Sequence, residues 1–253
     1  SIVCVKIYNK VRKVMIKVDN LTIAFGSKRV LDRVSFHMNE GDKLAIIGPS
    51  GEGKSVLLQC ILGLLKPDSG SVEVDGVDII NASEDELDVL RKKMGILFQG
   101  SALFDFMNVY ENVSFPLVSH SDFNESEIKT KVEKTLNLVG LKGASNKMPD
   151  ELSGGMQKRV ALARAIVRNP KFMFYDEPTS GLDPVRSKAI NQLIGKLNND
   201  FNLTSVTVTH DMLSLDKVAN KVLFLLKSKI AFYGKVSDIR NNKMLIRFLK
   251  SSI

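Results

Sequence analysis

The feature that most constrains the fold is a glycine-rich segment that directly follows a short apolar run. The run LAII ends at residue 47, and the segment GPSGEGKS occupies residues 48–55 before a helical pattern begins. Glycines let successive backbone N–H groups turn inward around phosphate oxygens, and the helix that follows adds the positive end of its dipole. This order of strand, glycine loop and helix predicts a P-loop, a phosphate-binding loop, rather than a plain glycine turn.

Two side chains of this loop indicate what it binds. Lys54 can supply a point charge for the β- and γ-phosphates of a nucleotide, and the hydroxyl of Ser55 can reach Mg²⁺. We therefore expect ATP and Mg²⁺ as the ligands of the loop.

The spacing of the apolar runs predicts an α/β fold. Short β-type runs fill residues 1–41, where Gly26 and Gly41 mark turns, and predict a small antiparallel β part. Over residues 42–98 and 170–236, short buried strands alternate with helical patterns, which predicts a parallel sheet with helices on both faces. With 44% apolar and 25% charged residues, the 253-residue chain has the composition of one globular unit.

Helical patterns replace the strands over residues 99–169 and predict a helical part inserted into the α/β core. One of its helices is expected within NESEIKTKVEKTLNLVGL, with Asn124 or Ser126 as its cap. Residues 237–253 are predicted to form a basic helical tail that docks on the chain's own core or on a partner subunit. The apolar face of this tail would carry Leu245, Ile246, Phe248 and Leu249.

Composition disfavours several classes of protein. No run approaches the roughly 18 apolar residues of a spanning helix, and the N-terminal residues form a strand-like pattern without the apolar core of a secretory signal. The net charge of +8 is spread among carboxylates without interleaved aromatics, which favours a solvated surface over nucleic-acid binding. Cys4 and Cys60 lack metal-ligand spacing, and a buried reduced thiol is expected at Cys60. We therefore expect a cytoplasmic protein that reaches a membrane only through a partner.

A second apolar strand ends in two carboxylates. The run FMFY precedes Asp176 and Glu177, and ligands of open α/β sheets bind at the carboxyl ends of the strands. Asp176 can hold Mg²⁺ through water, and Glu177 can orient and deprotonate an attacking water. By itself such a pair is more often a solvated strand end, but together with a P-loop it predicts nucleotide hydrolysis.

A second glycine pair opens another helix. The segment LSGGM at residues 152–156 precedes an amphipathic pattern, and Ser153 stands in the capping position. One chain thus offers two phosphate-binding helix ends, whereas its P-loop encloses a nucleotide on one side only. We therefore predict a dimer that shares two ATP molecules.

The segment LSGG, with the P-loop upstream and Asp176-Glu177 downstream, resembles the signature of ABC-type ATPases, and the order and spacing of the motifs match across nearly the whole chain. The resemblance implies a RecA-like parallel-sheet core, an N-terminal antiparallel β subdomain and an inserted helical subdomain. It also implies a homodimer that hydrolyses ATP and drives transmembrane permease subunits from the cytoplasmic face of the inner membrane.

The same resemblance assigns roles to residues outside the P-loop. Phe25 would stack on adenine, although a core phenylalanine at a strand end is the plain alternative. Gln99, at the end of the strand MGILFQ, would contact Mg²⁺ and relay the nucleotide state to the permease; Asp183 in SGLD would lie near the dimer partner, and His210 near the γ-phosphate. The predicted catalytic residues are Glu177, His210 and Lys54, and the predicted Mg²⁺ ligands are Ser55, Gln99 and Asp176. The predicted ATP contacts are Phe25, Gly48, Pro49, Ser50, Gly51, Gly53, Lys54, Ser55, Val56, Gln99, Ser153, Gly154, Gly155 and Asp183.

Two departures from the family pattern help to place the chain within it. Met156 stands where many members carry Gln, and Val56 follows the P-loop serine where Thr is common. Neither change removes a phosphate ligand or the predicted base. The segment LFQGSALFDFMNVYENVSFPL, together with LSGGM and DEPTSGLDPV, resembles the ATPases of lipid transporters of the Mla type, which work with MCE-domain lipid-binding proteins. That resemblance implies glycerophospholipid transport between two membranes.

Other readings share part of this pattern. An importer ATPase for amino acids or ions would carry the same catalytic motifs. Non-transport relatives insert long coiled coils or carry two cassettes in one chain, whereas the sequence between P-loop and signature predicts one compact helical part. A module that senses ATP without turnover would not require the full set of hydrolytic residues.

Overall fold

The computed structural model describes residues 13–119, 123–242 and 245–248. The strand predicted at the extreme N-terminus and Cys4 lie outside the described residues. Within them the chain forms two sheets, one of four strands and one of six. No helix among the described residues is both long and apolar enough to cross a bilayer.

The smaller sheet is antiparallel, with strand order β2-β1-β4-β5. Its strands are β1 (Val14–Phe25), β2 (Lys28–Asn39), β4 (Ser69–Val74) and β5 (Val77–Asp78). The predicted hairpin turn at Gly26 joins β1 and β2 as expected. However, β4 and β5 lie beyond the predicted boundary at residue 41, yet β4 pairs with β1 and β5 pairs with β4. The antiparallel sheet therefore includes a segment that the sequence assigns to the parallel core. Chain order could not reveal this, because strand pairing is decided in the tertiary structure.

The larger sheet has the strand order β10-β9-β3-β8-β7-β6. Five of its described strands run parallel, and β10 pairs antiparallel with β9 at one edge. The parallel strands are short apolar runs because both of their faces are buried. The strands are β3 (Lys43–Ile47), β6 (Met94–Leu97), β7 (Phe172–Asp176), β8 (Thr204–Val208), β9 (Lys221–Leu226) and β10 (Lys229–Lys235).

Alternate residues of the parallel strands pack into two separate cores. On one face, Ile46 and Phe174 pack with helices α1 and α2 and with the antiparallel sheet. On the other, Ile47 and Tyr175 pack with helices α3 to α7. The prediction of helices on both faces is therefore confirmed, and the antiparallel sheet shares one face with them. The helices are α1 (Lys54–Ile61), α2 (Glu84–Arg91), α3 (Val109–Val118), α4 (Glu125–Leu138), α5 (Gly154–Ile166), α6 (Pro184–Asp200) and α7 (Leu215–Val218).

The segment predicted to be helical, residues 99–169, carries α3, α4 and α5 and contains no strand in its described part. Asn124 caps α4: its side chain accepts a hydrogen bond from the Glu127 N–H, and Glu127 bonds back to the Asn124 N–H. The capping assignment to Asn124 is thus confirmed and the alternative at Ser126 is wrong, since only Asn124 has Glu three residues into the helix.

A buried carboxylate joins the two sheets. Asp75, in the turn between β4 and β5, accepts hydrogen bonds at 2.8 Å from Lys93 and Lys171, which precede β6 and β7. Its side chain is only 6% exposed. Burial raises the pKa of Asp75, but the hydrogen bonds and charges of Lys171 and Lys93 outweigh it and lower that pKa to about 2. This cluster lies at the end of β7 opposite to Asp176.

The described part of the C-terminal tail docks on the chain's own core. Leu245 is fully buried, and the ring of Phe248 packs 4.8 Å from that of Phe224 in β9. Leu249 lies outside the described residues. Contact of the tail with a partner subunit stays a prediction.

Candidate active site

The P-loop lies between β3 and α1, and its glycines are required by their backbone angles and, at two positions, by the space around them. Gly48, Gly51 and Gly53 all have positive φ angles, of 152°, 79° and 88°. A Cβ atom on Gly48 would lie 2.4 Å from the Leu225 carbonyl oxygen, and one on Gly53 would lie 2.8 Å from Cγ1 of Val30. The loop is therefore packed against β9 and β2, and its shape is set by the chain itself.

Lys54 points into this loop. It is 9% exposed, and its Nζ donates hydrogen bonds of 2.9 Å to the carbonyl oxygens of Gly48 and Pro49. Burial lowers the pKa of Lys54, while the negative charges of Glu177, Glu52 and Asp176 oppose that shift. The ammonium group is thus held among the backbone groups that surround a phosphate in such loops.

Asp176 and Ser55 come together from distant parts of the chain. The Ser55 hydroxyl donates to Oδ1 of Asp176 at 3.2 Å, because β7 ends next to the start of α1. Burial raises the pKa of Asp176 and the nearby charge of Glu177 raises it further, against the effects of Ser55 and Lys54. A hydroxyl and a carboxylate oxygen so close together are hard donors of the kind that Mg²⁺ prefers, so the residues present fit a magnesium ion.

Glu177 and His210 form a pair at the ends of β7 and β8. Nδ1 of His210 lies 2.6 Å from Oε2 of Glu177, and the two side chains are 71% and 14% exposed. The Glu177 N–H donates to the carbonyl oxygen of Val208 at 2.9 Å, and Glu177 has a positive φ of 48°. Because an acidic residue rarely adopts this backbone conformation, the surrounding structure is what holds it there. The histidine can therefore orient the predicted base.

Gln99 lies beyond the strand in which it was predicted. β6 ends at Leu97 instead of reaching Gln99, because the two residues after Leu97 lack a partner in the ladder with β7. The side-chain amide of Gln99 donates to the hydroxyl of Ser180 at 3.3 Å. The backbone carbonyl oxygen of Gln99 accepts a hydrogen bond from Lys158 of α5. Gln99 thus connects the loop after Glu177 to the helix that begins at the signature segment.

The signature segment forms a capped helix end on the surface. Ser153 accepts a hydrogen bond from the Met156 N–H at 3.4 Å, and α5 begins at Gly154. Both Ser153 and Gly154 are exposed. Among the described residues, no hydrogen bond connects this segment with the P-loop of the same chain. The fold therefore places the starts of α1 and α5 apart within one copy, because α1 packs in the core on one face of the larger sheet and α5 packs in the core on the other face.

The structure also places Phe25 and Asp183, two of the predicted ATP contacts. Phe25 ends β1 and is 52% exposed, which excludes the alternative of a core phenylalanine. Asp183 is the N-cap of α6 and accepts hydrogen bonds of 3.0 Å from the N–H groups of Val185 and Arg186. Sequence reasoning missed this capping role, although Pro184 at the first helical position is a recognised signal for it.

Two cations of α5, one buried and one half-buried, were not predicted as functional residues. Lys158 is 4% exposed and contacts the Gln99 carbonyl oxygen, and Arg164 donates to the carbonyl oxygen of Ser101 at 3.1 Å. Both therefore fix the backbone of the loop that follows β6. The sequence does carry a signal, because two cations lie within an otherwise apolar helical pattern. Buried charges need hydrogen-bond partners, so such a pair indicates specific contacts.

A cleft of about 660 Å³ lies beside His210 and is not the phosphate site. No P-loop residue lines it. Its walls come from the loop after Glu177, the start of α6 and the segment after β8. The lining residues include Ser180, Gly181, Leu182, Lys188, Asp211 and Met212.

A P-loop that encloses a lysine, next to a strand ending in Asp-Glu, defines a nucleotide hydrolase of the P-loop class. The family model described as ABC transporter matches residues 31–180, and the chain belongs to this family. It carries an ABC-type ATPase domain.

Several known proteins are similar over most of the chain. The "Probable ribonucleotide transport ATP-binding protein mkl" of Mycobacterium leprae is 44% identical over 87% of this chain. The match covers 64% of that protein, so this chain spans less than two thirds of its length. The "Intermembrane phospholipid transport system ATP-binding protein MlaF" of Haemophilus influenzae is 40% identical over 93% of this chain and 90% of its own length. The "Methionine import ATP-binding protein MetN" of Clostridium tetani is 40% identical over 89% of this chain and 70% of its own.

A solved structure supports the same assignment. The "Dimeric structure of a post-hydrolysis state of the ATP-binding cassette MJ0796 bound to ADP and Pi" superimposes with a TM-score of 0.79 at 33% identity, covering 88% of this chain and 99% of that one. The predicted α/β fold class, the membership of the ABC family and the class of ATP hydrolase are thereby confirmed.

Proposed function

We propose that this chain is the ATP-hydrolysing subunit of a phospholipid transport system and works as a homodimer with two ATP molecules at its interface. The observation that carries the dimer is the separation of the two phosphate-binding helix ends within one copy. Each ATP would lie between the P-loop of one subunit and Ser153, Gly154 and Gly155 of the other. A similar ATP-binding cassette, MJ0796, forms a dimer and binds ADP and Pi, which supports this proposal.

In the proposed mechanism, P-loop N–H groups and Lys54 bind the phosphates, and the exposed ring of Phe25 stacks on adenine. Bound Mg²⁺ supplies charge that neutralises phosphate oxygens, and Ser55, Gln99 and Asp176 would hold it. Glu177 takes a proton from the attacking water, which its position after β7 allows. His210 holds the Glu177 carboxylate through one ring nitrogen and offers the other to the γ-phosphate.

The coupling surface is proposed to lie around the loop after β6. Phe98, Phe106 and Phe115 are 41%, 77% and 41% exposed, and the ring of Phe104 packs 4.8 Å from Phe115 and 5.8 Å from Phe106. Exposed aromatic clusters of this kind mark interaction sites. Because Gln99 begins the same loop, closure of the dimer would move the cluster and pull on a transmembrane permease. The subunit would thus act on the cytoplasmic face of the inner membrane.

The substrate proposal rests on similarity. The phospholipid-transport relative matches almost end to end, and the segment LFQGSALFDFMNVYENVSFPL and Met156 were independently similar to that type. We therefore propose a permease and an MCE-domain lipid-binding protein as partners, with no nucleic acid. Amino-acid import is the second candidate, because the methionine-import relative is equally identical over a slightly shorter stretch.

Affinity purification of the tagged chain from its native membranes in mild detergent tests this proposal. We expect an MCE-domain protein and bound phospholipid to co-purify. Phe106→Ser should release the permease, whereas Val89→Ser, a matched change of an exposed apolar residue on α2, should not. Recovery of a permease with an amino-acid-binding protein would replace phospholipid by the import alternative and leave the ATPase mechanism intact.

A further inference from the structure

Glu52 places a negative charge inside a loop that binds negative phosphates. It stands two residues before Lys54 and is half-buried. Its Oε2 accepts a hydrogen bond of 3.1 Å from the backbone N–H of Ser228, in the turn between β9 and β10. The carboxylate is therefore fixed in place beside the phosphate-binding groups.

Ser228 connects this turn to the β1–β2 hairpin as well. Its hydroxyl donates to the carbonyl oxygen of Arg29 at 2.8 Å, and its own carbonyl oxygen accepts from the Asp32 N–H at 2.8 Å. Ser228 also has a positive φ of 65°, a conformation that the surrounding hydrogen bonds must hold. Ser228 thus links the P-loop, through Glu52, to the β1–β2 hairpin, in which Phe25 is the last residue of β1.

The charge of Glu52 also acts on the phosphate-binding lysine. The carboxylate of Glu52 is close enough to the Lys54 ammonium to attract it, as are those of Glu177 and Asp176. A carboxylate that stabilises the ammonium in this way must repel phosphates bound to the same ammonium.

We propose that Glu52 is a positioning residue that sets nucleotide affinity: its hydrogen bond to Ser228 fixes the P-loop against the β1–β2 hairpin, while its charge weakens phosphate binding. The two effects have opposite signs and different chemical requirements. The hydrogen bond needs an acceptor oxygen, which Gln also provides, and the repulsion needs the charge, which only the carboxylate has. This inference rests on binding of the ATP phosphates in the P-loop.

The test is the affinity of the full chain for ADP with Mg²⁺, measured by titration calorimetry at low and high salt. At low salt Glu52→Gln should bind ADP about three- to tenfold more tightly than the unchanged protein. The gain should be smaller at about 0.5 M salt, because added ions screen the part of the repulsion that acts through solvent. Glu52→Ala loses the acceptor too, and should bind at least threefold more weakly than Glu52→Gln.

Glu133→Gln is the matched control, because Glu133 is exposed on α4 in the helical part and its loss changes the net charge equally. We expect no change in its affinity. The proposal would be overturned if Glu52→Gln bound ADP no more tightly than the unchanged protein, or if its gain were no smaller at high salt. Equal affinities of the Gln and Ala variants, or an equal gain in the control, would overturn it too. Normal binding by Lys54→Ala would instead show that the P-loop assignment itself is wrong.

Discussion

The two phosphate-binding helix ends of this chain differ in what holds them. At the start of α1, no side chain caps the helix, and Gly48 and Gly53 before it pack against β9 and β2 so closely that a Cβ atom has no room. At the start of α5, Ser153 caps the helix with its own hydroxyl. A Cβ atom on Gly154 would there meet only Cδ2 of Leu182 at 3.4 Å, an ordinary contact.

This difference separates two reasons for having glycine. The P-loop glycines are required by the packing and backbone angles of their own chain, so the folded subunit explains them. Nothing within the described residues requires glycine at position 154. We infer that the second end serves a ligand brought by another copy, which agrees with the proposed dimer.

The largest effect is expected from removing the proposed base on the P-loop side. Glu177→Gln should reduce the ATPase rate by about 10²- to 10⁴-fold, the usual contribution of general base catalysis. ATP binding should persist, because the P-loop and Lys54 are unchanged. Steady-state ATPase assays together with nucleotide binding would check this, with Glu133→Gln as a charge-matched control. Turnover at the normal rate would remove Glu177 from the mechanism.

Replacing Gly154 or Gly48, one glycine from each helix end, by alanine tests the comparison directly. Gly154→Ala should fold with unchanged thermal stability and yet lose at least tenfold in ATPase rate, because the added methyl group meets the partner's nucleotide. Gly48→Ala should instead lower the free energy of unfolding by about 1–3 kcal/mol or more, as forced contacts do. Thermal denaturation and ATPase assays distinguish the two. Full activity in folded Gly154→Ala would contradict the shared site.

Mixing two inactive variants should restore activity if the ends belong to different subunits. In a random mixture of Lys54→Ala and Ser153→Arg subunits, half of the dimers would be heterodimers with one intact site each. About a quarter of the normal ATPase rate is then expected, given independent sites and closed two-fold pairing. Each variant alone serves as the control. If purified heterodimers recovered no ATPase activity, the two helix ends would not form one site between subunits.

The smallest effect on catalysis is expected far from both ends, at the Asp75 cluster. Asp75→Asn should lower the free energy of unfolding at neutral pH by about 2 kcal/mol, since about 1.4 kcal/mol corresponds to one pKa unit. The folded-state pKa is depressed to about 2, so this stabilisation is complete above the unfolded pKa near 4.

The stabilisation should be lost as the pH falls through about 2. The stability difference between Asp75→Asn and the unchanged protein should therefore vanish near that pH, as measured by urea denaturation. The ATPase rate of the folded variant at neutral pH should be nearly normal. A large loss of activity would mean that the remote end of β7 influences the site.

Much of the fold and the site could be predicted from local patterns. The P-loop, the strand before Asp176 and the cap at Ser153 are each specified by a few adjacent residues, and the structure forms them as expected. The pairing of β4 with β1 was missed, because a short strand shows only its alternation and not its partner. Lys158, Arg164 and the Ser228 contact of Glu52 were missed for the same reason, since each depends on residues far away in the chain.

The sequence by itself determined the class of chemistry, because glycine spacing, a lysine, a serine and an Asp-Glu strand end are local requirements for binding and hydrolysing a nucleotide. Only the tertiary structure decided where those groups meet. It brought Ser55 to Asp176 and His210 to Glu177, and it packed α1 and α5, the helices that follow the P-loop and Ser153, on opposite faces of the larger sheet. The physical reason is that a parallel sheet gathers the carboxyl ends of strands that are distant in sequence, and strand order is set by packing that no local pattern records.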